Sequence, residues 1–250
     1  MENKTIENCM ITADYHTHTI HSHGKGDIID NALAAKEKGL KEIAICDHSF
    51  GHLLYGVKRE EIPLMREKIE TCQKETGVKI LLGVEANFTS LDGDIDITEE
   101  DLKNLDILLV GHHRFVKSKI KDKLKLFLPN LFGVKSKKQI ERNTQVLLRA
   151  MDKYNINILT HINHHMQVDI EQVAKKAYQT NTLIEINNSK ICFSKEEVEI
   201  LLRENVKFVL SSDAHCADDV GEMTNALEFV RQYNIPLDRI VNLSCQDLEK

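Results

Sequence analysis

The stretch Ala13-Asp14-Tyr15-His16-Thr17-His18 decides how the rest of the sequence is interpreted. His16 and His18 are two positions apart, so in a β-strand both imidazoles point to the same face. In a parallel βα fold all strands end at one rim, and polar side chains at those ends meet there. The pattern therefore predicts a polar site at the end of a first strand, provided that later strands end in similar side chains.

Six further short apolar runs follow, each bounded by Gly, Asn, Asp or His, which is typical of strands buried on both faces. Helices with clear start signals lie between several of them, which predicts βαβ crossovers and a parallel sheet. Seven units in about 230 residues favour a barrel over an open doubly wound sheet. The predicted strands are 13–18, 42–46, 79–84, 107–110, 156–160, 183–186 and 206–210. The predicted helices begin at the N-caps Asp27, Ser136, Asp169 and Ser194 and end near Lys38, Tyr154, Thr180 and Asn205.

Composition excludes several classes of protein. The chain has 250 residues, of which 42% are hydrophobic, and a net charge of −6. It has enough apolar residues for a packed core and no linker that would divide it, so we expect one domain over residues 1–250. No apolar run approaches the roughly 20 residues of a membrane span, and Met1–Thr12 does not resemble a signal peptide. We therefore expect a cytoplasmic protein without a membrane partner, and the acidic balance disfavours nucleic acid as a main ligand.

The six cysteines predict neither a Cys-x-x-Cys metal site nor a disulfide framework. In a chain without a secretion signal we expect them to be reduced. Cys46 lies in an apolar run and is predicted to be a buried small side chain. Cys216 follows Asp213-Ala-His215, which leaves a metal-ligand role as an alternative.

Polar side chains follow six of the seven predicted strands. Such residues can simply cap or solvate a strand end, but parallel strands bring all of these ends to one rim, which favours a shared site. Imidazole and carboxylate groups suit Zn, Mn or Fe, and so many of them exceed what one tetrahedral ion can use. Several ions about 3.5–4 Å apart, bridged by a carboxylate such as Glu85, suit phosphoester chemistry. The candidates at the strand ends are His16, His18, Asp47, His48, Glu85, His112, His113, His161, Asp213 and His215, with His21 and His23 in the first loop.

The connection over residues 112–138 is unusually basic. It carries eight lysines and Arg114 against one acid, Asp122. It is interpreted either as a solvated loop or as a lid that attracts an anionic substrate to a site below it.

In their order along the chain, these residues resemble the PHP (polymerase and histidinol phosphatase) family. The resemblance covers about residues 12–249 and is strongest to small stand-alone bacterial phosphatases, including those labelled histidinol-phosphatase. Ile162 departs from the family pattern, in which many relatives have Pro after the histidine that matches His161. The matching stretches are Asp14-Tyr-His16-Thr-His18-Thr, Ser22-His23, Cys46-Asp-His48, Gly83-Val-Glu85-Ala-Asn87, Val110-Gly-His-His113, Leu159-Thr-His161, Leu183-Ile-Glu-Ile-Asn187-Asn-Ser189, Ser212-Asp-Ala-His215 and Arg239-Ile-Val-Asn-Leu-Ser244.

The resemblance implies a distorted seven-stranded (β/α)7 TIM-like barrel, the PHP fold, with two or three divalent ions, Zn in most relatives and Mn or Fe in others. It implies a first ion held by His16, His18, Glu85 and Asp213, a second by Glu85, His113 and His161, and a third by His23, His48 and His215. Glu85, Asp213 and His215 are also expected to take part in catalysis. We further expect Arg114 and Lys25 to contact the substrate phosphate, and Asp14 and Asp47 to orient ligand imidazoles. Because side chains alternate along a strand, only one of His112 and His113 can face the barrel interior. In the first loop, His21 is an alternative to His23 as a metal ligand.

The function that these observations favour is hydrolysis of phosphate monoesters of small metabolites, with histidinol phosphate as one candidate substrate. Other metallohydrolase activities on the same barrel, a phosphodiesterase or nuclease or an amidohydrolase, are alternatives, as is a metal-bound regulatory module. An amidohydrolase typically uses a bridging lysine, and none lies at the predicted ends of strands three to five. All nine ligand positions are filled, which disfavours a degenerate module.

Overall fold

The computed structural model describes residues 6–245 of the chain. Residues 1–5 and 246–250 lie outside the described range. The first of these segments is part of Met1–Thr12, for which the sequence predicts no signal peptide. Within residues 6–245 no helix is both long and apolar enough to span a bilayer.

Seven parallel strands form one sheet that curls into a nearly closed barrel. Neighbours in the sheet are also neighbours in sequence, so every connection is a simple crossover. All seven predicted strands are present, and the (β/α)7 barrel is confirmed. The strands are β2 (Ala13–Thr17), β3 (Glu42–His48), β4 (Lys79–Asn87), β5 (Ile107–Gly111), β6 (Ile158–Leu159), β7 (Leu183–Asn187) and β8 (Phe208–Ser211), and β1 (Cys9–Ile11) pairs with β9 (Leu243–Cys245) in a separate two-stranded sheet.

The helices pack on the outside of the sheet, and the four predicted ones begin at the expected caps. The Asp27 carboxylate and the Ser194 hydroxyl each accept backbone N–H bonds in full capping boxes. The side chains of Ser136 and Asp169 also accept backbone N–H bonds at the starts of their helices. The sequence interpretation missed α2 and α9 and a helical segment inside the basic connection. The helices are α1 (Ile28–Glu37), α2 (Ile62–Thr76), α3 (Glu99–Leu102), α4 (Ile120–Asp122), α5 (Leu128–Leu131), α6 (Lys137–Lys153), α7 (Ile170–Thr180), α8 (Lys195–Arg203) and α9 (Thr224–Gln232), and a π-helical turn at Lys123–Phe127 joins α4 to α5.

Strand alternation divides the buried apolar residues into two cores. In β3, Ile43 and Ile45 pack under the helices, whereas Ala44 and Cys46 point into the barrel. The interior core is small, and Leu109 and other apolar side chains fill it below the rim. Cys46 is fully buried, as predicted. The barrel is therefore a packed scaffold whose open end is the rim at the carboxyl ends of the strands.

The gap between β2 and β8 is closed at both ends by different devices. At the carboxyl end, His18 N–H donates to the Ala214 carbonyl at 2.8 Å. At the amino end, the buried Asn242 side chain donates to the carbonyls of Ala13 and Leu210, both at 2.7 Å. Asn242 thus replaces hydrogen bonds that an eighth strand would make.

One prediction about the cysteines is wrong. Cys9 and Cys245 form a disulfide between β1 and β9, across 236 positions of sequence. Direct pairing of the two terminal strands places their Cα atoms only 3.9 Å apart, a contact that spacing along the sequence does not reveal. The other four cysteines are free.

Candidate metal centre

The cluster of polar side chains at the barrel rim begins with the two histidines of β2. Both imidazoles are fully buried and point to the same interior, as strand alternation requires. The Nε2 atom of His16 lies 3.4 Å from a Glu85 oxygen and 3.6 Å from Asp213 Oδ1. The Nε2 atom of His18 lies 3.3 Å from that Asp213 oxygen. Two strands on opposite edges of the sheet thus contribute to one group of donor atoms.

Glu85, at the end of β4, is the centre of the cluster. Its side chain is 1% exposed and lies within 3.8 Å of five imidazoles. Both oxygens are used, because Oε2 faces one set of rings and Oε1 faces another. A carboxylate in this position can be shared between neighbouring ions. The nitrogen-to-oxygen distances are 3.4 Å for His16, 3.8 Å for His18, 3.0 Å for His48, 3.2 Å for His113 and 2.8 Å for His161.

Many donor atoms in this cluster are buried without a hydrogen-bond partner, which is the observation that tests whether a metal fits. Unpartnered buried polar atoms are costly, and native proteins rarely keep them without a ligand or an ion. Carboxylates and imidazoles are the donors that Zn, Mn and Fe bind. The site therefore fits divalent metal ions. The unpartnered atoms include His16 Nε2, both nitrogens of His18, His23 Nδ1, His48 Nδ1, His113 Nε2 and Asp213 Oδ1.

Three overlapping groups of donor atoms within the described chain could each hold an ion. They are His16, His18 and Glu85; His48, Glu85 and His113; and His18, His23, His48 and His215. The groups resemble the three implied sites, but His18 and His48 each belong to two of them. His161 and Asp213 are outside these groups, although both contact members of the cluster. Seven of the nine expected ligands thus lie in a geometry that could bind metal, and the other two lie beside it.

The structure separates the alternatives that the sequence left open. His113 lies against Glu85, whereas the adjacent His112 is buried and stacks on Phe127, with ring centroids 5.5 Å apart. His23 lies 4.8 Å from His48 in a stacked arrangement. In contrast, His21 lies beside the Glu61 carboxylate. The Cys216 thiol donates to Asp219 Oδ2 at 2.9 Å and does not belong to any of the three groups, so the alternative of a thiolate ligand gains no support.

Charge within the cluster is divided between ionised carboxylates and mostly neutral imidazoles. Burial would raise the pKa of Glu85, but the imidazoles of His113, His16 and His161 hold it well below its usual value. Burial lowers the pKa of His18 well below its usual value and that of His23 to about 3. His16 is different, because the neighbouring carboxylates outweigh burial and raise its pKa. Deprotonated carboxylates and neutral imidazoles are the forms that bind metal.

Glu185 is a candidate positioning residue that the sequence interpretation did not single out. Its Oε1 atom lies 2.7 Å from His16 Nδ1, on the side of the ring away from Glu85. Its Oε2 atom accepts the backbone N–H of His161 at 2.7 Å, where φ is +27°. A carboxylate that holds the far nitrogen of a ligand imidazole fixes the orientation of that ring. The available signal was an acidic residue within the apolar run Leu183-Ile-Glu-Ile.

Asp14 and Asp47 have roles that differ from the expected one. Asp14 accepts bonds from the Ser212 hydroxyl and from the backbone N–H of Gly221 at 2.9 Å. Asp47 accepts from the backbone N–H and hydroxyl of Thr19, at 2.7 and 2.6 Å. Both buried carboxylates therefore fix loops that carry candidate ligands, and Glu185 is the carboxylate that holds an imidazole.

Cationic side chains lie at the edge of the cluster. Lys190, which follows β7, places its ammonium on Asp213 Oδ2, and the sequence interpretation did not predict this contact. Arg114 is exposed, and its charge contributes, after burial, His161 and Lys190, to the lowered pKa of His164. Lys25 is also exposed, and its backbone N–H donates to the His215 carbonyl at 2.8 Å. Of the three, Lys190 directly contacts a candidate ligand.

Comparison with known proteins agrees with this geometry. The model of the PHP domain family matches residues 14–236. A protein named "Probable phosphatase" from Caldanaerobacter subterraneus subsp. tengcongensis is 32% identical, covering 96% of this chain and 90% of the relative. A protein with the same description from Shewanella piezotolerans is also 32% identical, covering 94% and 90%.

A solved structure has the same fold. It is that of a histidinol phosphate phosphatase from Lactococcus lactis, in complex with Zn, L-histidinol and phosphate. The TM-score is 0.59 at 15% identity, and the match covers 89% of this chain and 92% of the other. The likeness therefore concerns the arrangement of strands and helices around the rim.

Proposed function

This chain belongs to the PHP domain family and is a metal-dependent phosphatase, and on that premise we propose that it hydrolyses phosphate monoesters of small metabolites. The observation that carries the proposal is the Glu85 carboxylate, which lies within 3.8 Å of five imidazoles. It belongs to two of the three groups of donor atoms that could each hold an ion. Two or three divalent ions, with Zn favoured, fit this donor set better than one. The L. lactis relative, which was solved with Zn, L-histidinol and phosphate, makes histidinol phosphate a candidate substrate.

The residues that would hold the ions are the nine expected ligands, with Glu85 shared between groups. Bound ions of this kind polarise phosphoryl oxygens, supply hydroxide near neutral pH and neutralise a leaving alkoxide. Glu185 holds the His16 ring, and Asp14 and Asp47 hold the loops, so the donor set is fixed before substrate arrives.

The cations at the rim would bind and orient the substrate. Lys190 lies against Asp213 and is partly buried, so its positive charge acts in a poorly solvated environment. Arg114 offers a planar fork that matches phosphate oxygens, and Lys25 adds a second exposed charge. This distribution favours an anionic substrate whose phosphate enters the rim and whose alcohol part points outward.

The phosphatase activity is tested with two histidines of one loop. We expect His23→Ala to lose most of its phosphatase activity, at least about 100-fold, and to retain fewer metal ions by elemental analysis. His21→Ala is the matched control and should retain both activity and metal, because His21 pairs with Glu61. His16→Ala and Asp213→Ala should behave like His23→Ala. Activity that survives these substitutions and chelation would exclude the cluster from the reaction.

The substrate class needs a separate assay. The metal-loaded protein should release inorganic phosphate from a panel of phosphorylated metabolites that includes histidinol phosphate, and it should act more slowly on phosphodiesters. Faster cleavage of diesters or short oligonucleotides would replace the monoesterase proposal with a diesterase, while the metal requirement would stand. Release of phosphate without any metal requirement would overturn both the proposed monoesterase and the proposed role of the metal ions.

A further inference from the structure

Exposed apolar side chains are concentrated beside the metal centre. Among the described residues, ten of the sixteen exposed large hydrophobic side chains lie at positions 53–55 and 115–134. Most monomeric proteins scatter such side chains singly, and a contiguous patch marks an interaction site. We refer to residues 115–138 as the insert.

The insert presents its apolar face outward. Its helical segment runs from residue 120 to 131, and positions 120, 124, 128 and 131 share one face of a helix. Ile120 is 76% exposed and Leu124 is 60% exposed, and Phe132 at the end of the segment is 77% exposed. On the other side, Asp122 and Leu126 are fully buried. A surface helix of a globular protein normally has its apolar stripe toward the core, so this orientation indicates a partner outside the chain.

The insert is fixed in this orientation by polar contacts. The buried Asp122 carboxylate accepts the backbone N–H of Leu91 at 2.9 Å. The buried amides of Asn130 and Asn143 donate to each other, at 3.0 and 2.9 Å. The apolar face could turn inward only if these bonds broke and left buried polar groups unpaired.

The charges around the face restrict what can cover it. All eight lysines of the insert are exposed, although the chain as a whole carries a net charge of −6. A second copy bound symmetrically would bring two lysine clusters together. Nucleic acid would use the lysines, but it would leave a stripe of aliphatic side chains without a matching surface. An anionic lipid surface satisfies both features, because acyl chains accept apolar side chains and headgroups accept lysines.

We propose that the insert, together with Leu53 and Leu54, is a docking surface for an anionic lipid bilayer. Leu53 and Leu54 are both more than half exposed, and the Leu53 N–H donates to the Phe115 carbonyl at 2.8 Å. The apolar surface therefore continues from the insert to the loop that carries His52, next to the candidate ligand His48. Residues 6–245 contain no helix that could span a bilayer, but the insert would lie on the membrane surface. The proposal therefore replaces the expectation, drawn from the sequence, of a protein without a membrane partner.

The experiment is sedimentation of the full-length, metal-loaded protein with vesicles. The protein should bind vesicles that contain phosphatidylglycerol, bind phosphatidylcholine vesicles at least about tenfold less tightly, and dissociate at high salt. Ile120→Ser/Leu124→Ser and Lys121→Glu/Lys123→Glu/Lys125→Glu should each weaken binding by about tenfold or more. Tyr178→Ser, which changes an exposed apolar residue on α7, is the control and should bind as the parent does.

These variants change exposed residues outside the metal centre, so they should keep the far-UV circular dichroism and the phosphatase activity on a soluble ester. Equal binding to both vesicles, no binding to either, or variants that bind like the parent would overturn the proposal. A concentration-dependent dimer that Ile120→Ser/Leu124→Ser abolishes, without vesicle binding, would show instead that the face joins two copies of this chain.

Discussion

The Glu185 carboxylate contacts two different candidate ligands, one through its imidazole and the other through its backbone. One oxygen faces the far nitrogen of His16, and the other accepts the N–H of His161, whose backbone is in the left-handed region. Strained backbone persists only where surrounding bonds maintain it. One buried carboxylate thus fixes both a ring and a backbone position in the metal centre.

Replacing Glu185 should therefore weaken metal binding without removing a ligand. For Glu185→Gln we expect metal affinity or activity to fall about 10–100-fold, because the amide keeps the shape but loses the charge that orients His16. Metal affinity can be measured by competition with a chromogenic chelator. Glu171→Gln, at a partly exposed position of α7, is the control. Equal affinities for both variants would contradict a role for Glu185 in orienting His16.

The buried His112 should make the free energy of unfolding depend on pH. Burial first, and then the neighbouring His113 and His165, lower its pKa to about 3. The unfolded chain therefore binds a proton at this residue near pH 6.5, whereas the folded chain does not, and stability is lost as the pH falls from about 6.5 toward 3. Between pH 6.5 and 5 this residue should lower the free energy of unfolding by about 2 kcal/mol.

The measurement is urea unfolding of metal-free protein at those two pH values. His112→Phe keeps a ring against Phe127 and removes the titrating group. Its free energy of unfolding should depend less on pH than that of the parent, by the same roughly 2 kcal/mol. If the parent and the variant lose equal stability, His112 does not carry the effect.

At the scale of elements, the turn at residues 91–94, which follows β4, is bonded to two other parts of the chain. The Leu91 carbonyl accepts from Arg149 of α6 at 2.8 Å, and Asp94 pairs with Lys153 of the same helix. Asp122 binds the same turn from the other side. The turn thus connects the strand that carries Glu85, the long helix α6 and the insert.

Gly93 is the tightest point of this connection. Its φ is +79°, and an added Cβ would lie 2.6 Å from the backbone nitrogen of Ala150, which cannot move without displacing α6. Gly77→Ala is the matched control, because Gly77 has φ +76° but open space around it. We expect Gly77→Ala to lower the free energy of unfolding by about 1 kcal/mol, and Gly93→Ala to lower it by at least about 2 kcal/mol more. Thermal unfolding of the two variants and the parent measures the difference. Similar costs for the two would show that α6 tolerates the extra carbon.

Elements with local signals could be predicted from the sequence, and elements without them could not. Strand ends and helix caps are local patterns, and Asp27 and Ser194 form the capping boxes that their spacing suggests. In contrast, α2 begins without a side-chain cap at Glu61, and nothing local marks its first turn except a proline. The helical segment of the insert was hidden because its exposed face is apolar, the reverse of the usual pattern.

The whole molecule determines the parts of the site that the sequence did not reveal. The family order of motifs brought out His113 and His23 over their neighbours, and the structure places those two in the cluster. The contacts of Glu185 with His16 and of Lys190 with Asp213 depend on how distant strands meet, which no spacing encodes. The same reason explains the Cys9–Cys245 disulfide, whose partners are 236 positions apart.

The disulfide predicts a stability difference for the whole molecule. Cys9→Ser/Cys245→Ser should lower the free energy of unfolding by about 2–4 kcal/mol, because a cross-link between distant positions restricts the unfolded chain. A phosphine reductant should lower the stability of the parent by a similar amount and leave the double variant unchanged. Cys216→Ser is the control, since that thiol is free. A parent protein that is unaffected by the reductant would argue against the cross-link in solution.

The pairing of β1 with β9 also has a consequence for how the chain can be rearranged. These strands adjoin the amino ends of β2 and β8, through the contacts of Thr12 and Ala13 with Asn242. The metal centre lies at the opposite, carboxyl ends. A short peptide between positions near Cys9 and Cys245 would therefore be enough for circular permutation, with new termini opened in an exposed loop. A segment joined to the chain near Cys9 and Cys245 would lie at the end of the barrel opposite the rim, away from the metal centre.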